Sequence, residues 1–388
     1  MALPDTISGV DFAPNLHLGG PFEFSGNYYF VARDSTDASR VEVWKSTNPG
    51  TAAWAEQAGD AGTSGYSTIR SISAVKSGTD IHILTGGESS GTGNVFYRYY
   101  VFSTLSDSFT TTEESCETIS TNPPGTTEVA ASLAVRSDGE VVALIVDIGE
   151  KVHGVTYTRV SYLNRTSGTW DGTPTAVGGT GVATNFTLPR SVLGASNKVH
   201  FTYYDGSNIQ HKSLSSGDSL SSAEAVNDTT PTDGNSRLAY LNDGSNDLVM
   251  TAWIKDSDDK VYTSLITDDG TPAAEGATSD AVIWVVSNTF SLTADDTNDK
   301  FYAAWSGTAN DLFHDEYDAG WGTDVETWDA VTISAIGGAN VYQNDAGDTV
   351  LAYVVDNGGT IQYNEYTLVA GAAGSFPPRL RPLRMLRR

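Results

Sequence analysis

Cysteine is nearly missing from this chain. Cys116 stands alone among 388 residues, so no intrachain disulfide can form and no cysteine-based metal site is available. The six histidines are scattered, and none lies three to five residues from another, so they show no metal-ligand spacing. No apolar run reaches the roughly 18 residues that a membrane-crossing helix needs. Basic residues are outnumbered, 22 against 48 acidic ones, and a net charge of −26 repels nucleic acid and anionic membranes. Leucine and lysine are scarce, which disfavours helical folds, and no glycine-rich phosphate loop or nucleophile elbow opens a helix. The opening Met1-Ala2-Leu3-Pro4-Asp5 has neither the basic region nor the apolar stretch of a secretion signal.

What is abundant points one way. There are 39 glycines, many Ser, Thr, Asp and Asn residues, and 10% aromatics within a 39% hydrophobic content. Short strands joined by tight turns around a sizeable core account for all of it. Seven alternating segments recur: Tyr28-Tyr29-Phe30-Val31, Ile81-His82-Ile83-Leu84, Val141-Val142-Ala143-Leu144, Val199-His200-Phe201-Thr202, Leu248-Val249-Met250-Thr251, Phe301-Tyr302-Ala303-Ala304 and Val350-Leu351-Ala352-Tyr353. Their spacing of about 49 to 60 residues suits four-stranded propeller blades with loop insertions. Turns such as Asp138-Gly139 and Asn298-Asp299 precede them, supplying residues that tolerate a left-handed backbone.

The reading is an all-β chain, a β-propeller of about seven four-stranded antiparallel blades over residues 1–369. Six blades with an irregular insertion, or two stacked β-sandwiches, are the alternatives. Stretches such as Thr68–Ser73 and Ser236–Tyr240 would be innermost strands lining the channel. The last unit has three strands, so Thr6–Phe12 is expected to supply its outer strand and close the ring. A Gly/Ala spacer at 370–375 then leads to an extended basic arm, in which Pro377, Pro378 and Pro382 oppose a helix.

Several turns carry a family likeness. Ser46-Thr47-Asn48-Pro49-Gly50 followed by Trp54 looks like an Asp-box, with Asn in place of Asp and one residue inserted before the indole. Asn164 to Trp170 and Asp318-Ala319-Gly320-Trp321 are weaker echoes. On these residues the chain resembles the sialidase-like propellers with BNR (Asp-box) repeats, in which the box pins the hairpin between third and fourth strands.

The resemblance implies a sialidase or other glycoside hydrolase, or a glycan-binding lectin. Sialidase chemistry clamps a carboxylate with three arginines, and Arg70, Arg190 and Arg237 lie on predicted inner strands. The Phe/Tyr-Arg-Ile-Pro signature is absent; Leu188-Pro189-Arg190-Ser191 only reverses its order. Tyr363 and Glu365 share one strand face and read as an ordinary cross-strand surface pair. Trp321 and Trp328, in a Gly/Asp-rich excursion, could stack on sugars, although hairpin pinning is the commoner use of such indoles. Trp253, Trp284 and Trp305 read as packing between blades.

No catalytic residue and no cofactor is assigned. Calcium at the acidic turns 256–259 and 295–299 competes with their reading as solvated hairpin tips. Asn164, Asn185 and Asn227 match the glycosylation acceptor pattern, which arises by chance in a chain rich in Asn and Thr.

Charge singles out the arm. Arg379, Arg381, Arg384, Arg387 and Arg388 all fall in the last ten residues, leaving −31 on the rest. With Phe376 and interleaved leucines they form a cationic, amphipathic segment that could dock on a partner subunit or another copy, contact nucleic acid, or stay unstructured. An acidic chain without disulfides or a secretion signal suits a phage virion protein, made in the host cytoplasm and working outside it. Propellers resembling this one occur in phage tails and head fibres. The leading expectation is therefore a non-enzymatic virion attachment protein, docked through the arm into a larger symmetric assembly and contacting host glycans. A scaffold propeller that binds peptides is a further alternative.

Overall fold

A computed structural model describes residues 3–14, 16–57, 67–89, 94–119, 129–148, 157–182, 188–228, 231–255, 258–278, 289–307, 311–328 and 332–369. Seven sheets follow one another along the chain, each running from the channel outwards. All seven recurring segments are second strands of a blade, within Asn27–Asp34, Asp80–Glu88, Val141–Ile148, Val199–Tyr204, Asp247–Lys255, Lys300–Ser306 and Thr349–Asn357. The architecture is the expected all-β, seven-bladed propeller, mostly of four-stranded antiparallel blades.

The cores follow from strand alternation. Val350, Ala352 and Val354 pack against the first blade, while Leu351, Tyr353 and Val355 pack against the sixth. A blade buries both faces, so most successive residues of its second strand are apolar. Among the described residues, seven apolar clusters each fill the space between two adjacent blades, and an eighth lies in the channel. Trp253 and Trp305 are fully buried in two of these clusters, as expected, while Trp284 lies outside the described residues. Small polar residues stitch inner strands together: Ser71 Oγ accepts from the Ala131 amide at 2.9 Å, and Ser132 Oγ from the Ser191 amide at 3.0 Å.

The ring closes as foreseen, with one correction. Asp5–Thr6 pairs with Thr360–Val369 in the last blade, Asp5 opposite Tyr363. The remainder of Thr6–Phe12 does not continue that strand. Val10–Asp11 crosses to the first blade and pairs with Asp34 and Arg33. Gly9, with φ of +82°, lies at the crossing.

A second departure follows. Between Val10–Asp11 and Phe22–Phe24, both beside the same strand, the chain leaves the sheet and enters the channel. Leu16–Leu18 runs parallel to the inner strand Thr68–Ser77 of the second blade, the one parallel ladder among the described strands. Leu16 packs on Ala130, Val146 and Leu188, while the Gly19 amide donates to the Gly337 carbonyl of the seventh blade at 3.3 Å. Touching blades on opposite sides, this stretch crosses the axis. The fit needs glycine: a Cβ on Gly338 would lie 1.9 Å from the Gly20 carbonyl oxygen.

Candidate functional site in the channel

The crossing segment leaves a cavity of about 160 Å³ inside the channel. Leu18, Phe22, Ala74, Leu238 and Leu292 give it apolar walls, and Arg190, Ser191, Arg237, Ser291 and Asn340 give it polar ones. Arg190 opens the inner strand Arg190–Leu193 of the fourth blade, and Arg237 lies in Pro231–Asn242 of the fifth. Both are almost entirely buried, 2% and 3% exposed. Both donate to the same atom: Arg190 Nη2 reaches Asn235 Oδ1 at 2.7 Å, and Arg237 Nη1 reaches it at 2.6 Å. Arg237 also donates to the Ser236 carbonyl at 3.0 Å and lies over the Phe290 ring, 4.7 Å from its centre.

Two guanidinium groups brought to one point on a channel wall present planar, permanently charged donors there. The matching ligand group is an oxygen-rich anion, above all a carboxylate. A cavity of this size holds something about as large as one six-membered ring.

Arg70 is not part of this arrangement. It falls at a register shift between Ile69 and Ser71 and faces Glu88, with Nη2 to Oε2 at 3.6 Å. Of the three candidate clamp arginines, the fold therefore brings two together. Asn235, Asn340 and the Leu18–Phe22 wall had no sequence signal, because their role comes from blade closure and from the segment crossing the axis.

Tyr363 and Glu365 share one face, and the tyrosine hydroxyl donates to Glu365 Oε1. The pair is not on the surface, however. Tyr363 is fully buried between the seventh and first blades, 5.2 Å from the Trp54 ring, with the Tyr342 hydroxyl 2.5 Å from its own. Burial, reinforced by Tyr342 and Glu365, holds its hydroxyl far above the usual range. Tyr363 lies on the third strand of its blade, away from the cavity wall.

The three box-like turns all join third and fourth strands. Ser46 Oγ donates to the Ala52 carbonyl at 2.9 Å, and Trp54 is buried against Tyr363. Trp170 packs edge-on to Tyr99, with ring centres 5.5 Å apart. Trp321 donates from Nε1 to Thr263 Oγ1 at 2.8 Å and packs on Tyr317. Trp321 also walls an outward groove of about 490 Å³ between the sixth and seventh blades, with His314, Tyr366 and the acidic Asp315, Glu316 and Asp318. Trp328 is not in that groove; it packs inwards, 6.4 Å from the Tyr353 ring.

In the acidic turns weighed for calcium, two carboxylates hold their own turn or a neighbouring strand. Asp295 Oδ1 accepts from the amides of Thr297 and Asn298, and Asp258 Oδ2 accepts from the Tyr262 hydroxyl. Asp256, Ser257 and the arm with Phe376, Arg379, Arg381, Arg384, Arg387 and Arg388 lie outside the described residues.

Fold and site together define a propeller with an arginine-walled pocket on its axis. Comparison with known proteins agrees on the fold. No protein-family model matches the chain, and no curated protein matches it in sequence. Among solved structures, a mutant of AofleA from Arthrobotrys oligospora superposes with a TM-score of 0.55 at 9% identity, covering 83% of this chain and 89% of that one. A mutant of NanB sialidase from Streptococcus pneumoniae gives 0.50 at 11% identity, covering 94% and 70%. A protein of unknown function from Dyadobacter fermentans gives 0.50 at 12%, covering 92% and 99%. At such identities the likeness is one of fold.

Proposed function

We propose that this chain is a saccharide-binding propeller that takes the acidic end of a sugar into the channel cavity. The convergence of Arg190 and Arg237 on Asn235 Oδ1 carries the reading. A ligand carboxylate facing both guanidiniums would gain charge-assisted hydrogen bonds beside buried side chains, where they are stronger than in water. Leu18, Phe22 and Leu292 suit the apolar face of a sugar ring, and Asn340 and Ser291 suit its hydroxyls. The fold shared with a sialidase supports the ligand class. Tyr363 is packed between blades, away from the cavity wall, and the reading is therefore one of binding.

Calorimetric titration with N-acetylneuraminic acid and with neutral hexoses tests this. The acid is expected to bind and the neutral sugars are not. Arg237→Gln is expected to weaken acid binding by about 1.5–3 kcal/mol, the worth of a hydrogen bond to a charged group. Equal affinity for neutral sugars, or an unchanged affinity in a folded Arg237→Gln, would sink the proposal.

A second reading concerns the arm, and charge favours it: five arginines in the last ten residues follow a body of −31. On this reading the segment docks the propeller onto an acidic surface of a neighbouring subunit, as in a virion.

A further inference from the structure

Three carboxylates meet on one face of the first blade, outside the channel. Asp34 ends Asn27–Asp34, Glu42 lies in Val41–Ser46 and Glu56 in Ala55–Glu56, three neighbouring strands of one sheet. The register sets Ala32 opposite Glu42 and Trp44 opposite Glu56, so residues 34, 42 and 56 project from the same face. One oxygen from each lies within 4.8 Å of the other two.

Acidic groups on a sheet are common; Glu42 sets this cluster apart. It is 3% exposed. Its Oε1 faces Arg40 Nε at 3.8 Å, too far for a hydrogen bond, and its Oε2 is wholly buried and takes no hydrogen bond. Asp34 caps its own turn through Oδ1, which accepts from Thr36 Oγ1 at 2.7 Å and the Asp37 amide at 2.8 Å; Oδ2 carries neither bond. Three carboxylates beside one arginine leave two negative charges over.

We propose that Asp34, Glu42 and Glu56 bind a hard divalent cation, calcium in preference to magnesium. The donors are all oxygen and supply the two charges the ion neutralises. Calcium accepts an irregular shell of about six to eight oxygens, whereas magnesium demands a near-ideal octahedron and gives up its own waters reluctantly. Calcium thus bridges carboxylates fixed on three strands, and its irregular shell accepts water on the exposed side of Glu56. Ala32 and Trp44, on the same face, belong to the cluster that joins the first blade to the last. Cation binding therefore stiffens the place where the ring closes.

The test uses the full chain, stripped with chelator and titrated with calcium or magnesium by calorimetry and thermal melting. A single calcium is expected to bind and raise the melting temperature, with magnesium weaker by about tenfold. Glu42→Gln is expected to fold at least as well as the stripped wild type, since a buried charge is gone, and to lose the calcium response. Glu56→Gln, at an exposed position, is expected to weaken calcium by about tenfold and decides the matter if Glu42→Gln fails to fold. An identical wild-type melt in chelator and in millimolar calcium overturns the proposal. So does a calcium response that survives in Glu56→Gln at full strength.

Discussion

His17 is held by the segment that crosses the axis, with its ring between Phe12 and Phe30, at 4.8 and 5.5 Å between centres. Its Nδ1 accepts from the Ala13 amide, and its Nε2 lies 3.1 Å from the Val31 carbonyl, to which it donates. Burial lowers its pKa from 6.5 to about 3; the Val31 hydrogen bond opposes the shift and Arg33 adds to it. The unfolded chain therefore takes up a proton that the folded chain refuses. The contribution is complete above pH 6.5 and is lost as pH falls towards about 3. Denaturant titration at about pH 5 should show roughly 2 kcal/mol less from this residue than at neutral pH. His17→Gln should be less stable than wild type at pH 7, and the gap should narrow by that amount at about pH 5. A gap independent of pH would refute the assignment.

Single residues were also where sequence reasoning reached least far. Glu42, in Val41-Glu42-Val43-Trp44, has the alternation of a half-exposed strand, yet it is buried because a blade has neighbours on both sides. His200 and His211 are eleven positions apart, and a strand pair sets their ring nitrogens 3.2 Å from each other. No spacing rule written along the chain detects a contact made across a ladder.

At the scale of elements the sequence was far more legible. Second strands and box-like hairpins are local patterns, and each fell where alternation and turn chemistry placed it. The excursion around Leu16–Leu18 was not legible, because Leu16-His17-Leu18 is too short to announce a strand and its partner lies over fifty residues away. Gly337 and Gly338 make room for it, with different tolerances. A Cβ on Gly338 meets backbone, the Gly20 carbonyl oxygen, whereas one on Gly337 meets the far end of the Phe12 ring at 2.6 Å. Gly338→Ala should cost about 1–3 kcal/mol or more, and Gly337→Ala clearly less, since a side chain can swing aside and a backbone cannot. Thermal melts of the two variants give the ranking, and a reversed order would mean that the segment is seated differently.

For the whole molecule, seven interblade clusters and a shared sheet for the first and last strands make each blade depend on both neighbours. Charge works at the same scale. If the arginine arm docks on a neighbouring subunit, deleting residues 375–388 should lower the assembly state seen by sedimentation. It should leave the melting temperature and acid-sugar binding of the propeller unchanged. An unaltered assembly state would remove the docking role.

The stretch from Leu16 to Gly20 has one more implication. Because it bars the axis and forms part of the pocket wall, a polymer cannot be threaded through the ring from rim to rim. It can offer only a tip. If the pocket takes a glycan as proposed, it reads the terminal unit, and branching or length further back goes unmeasured there.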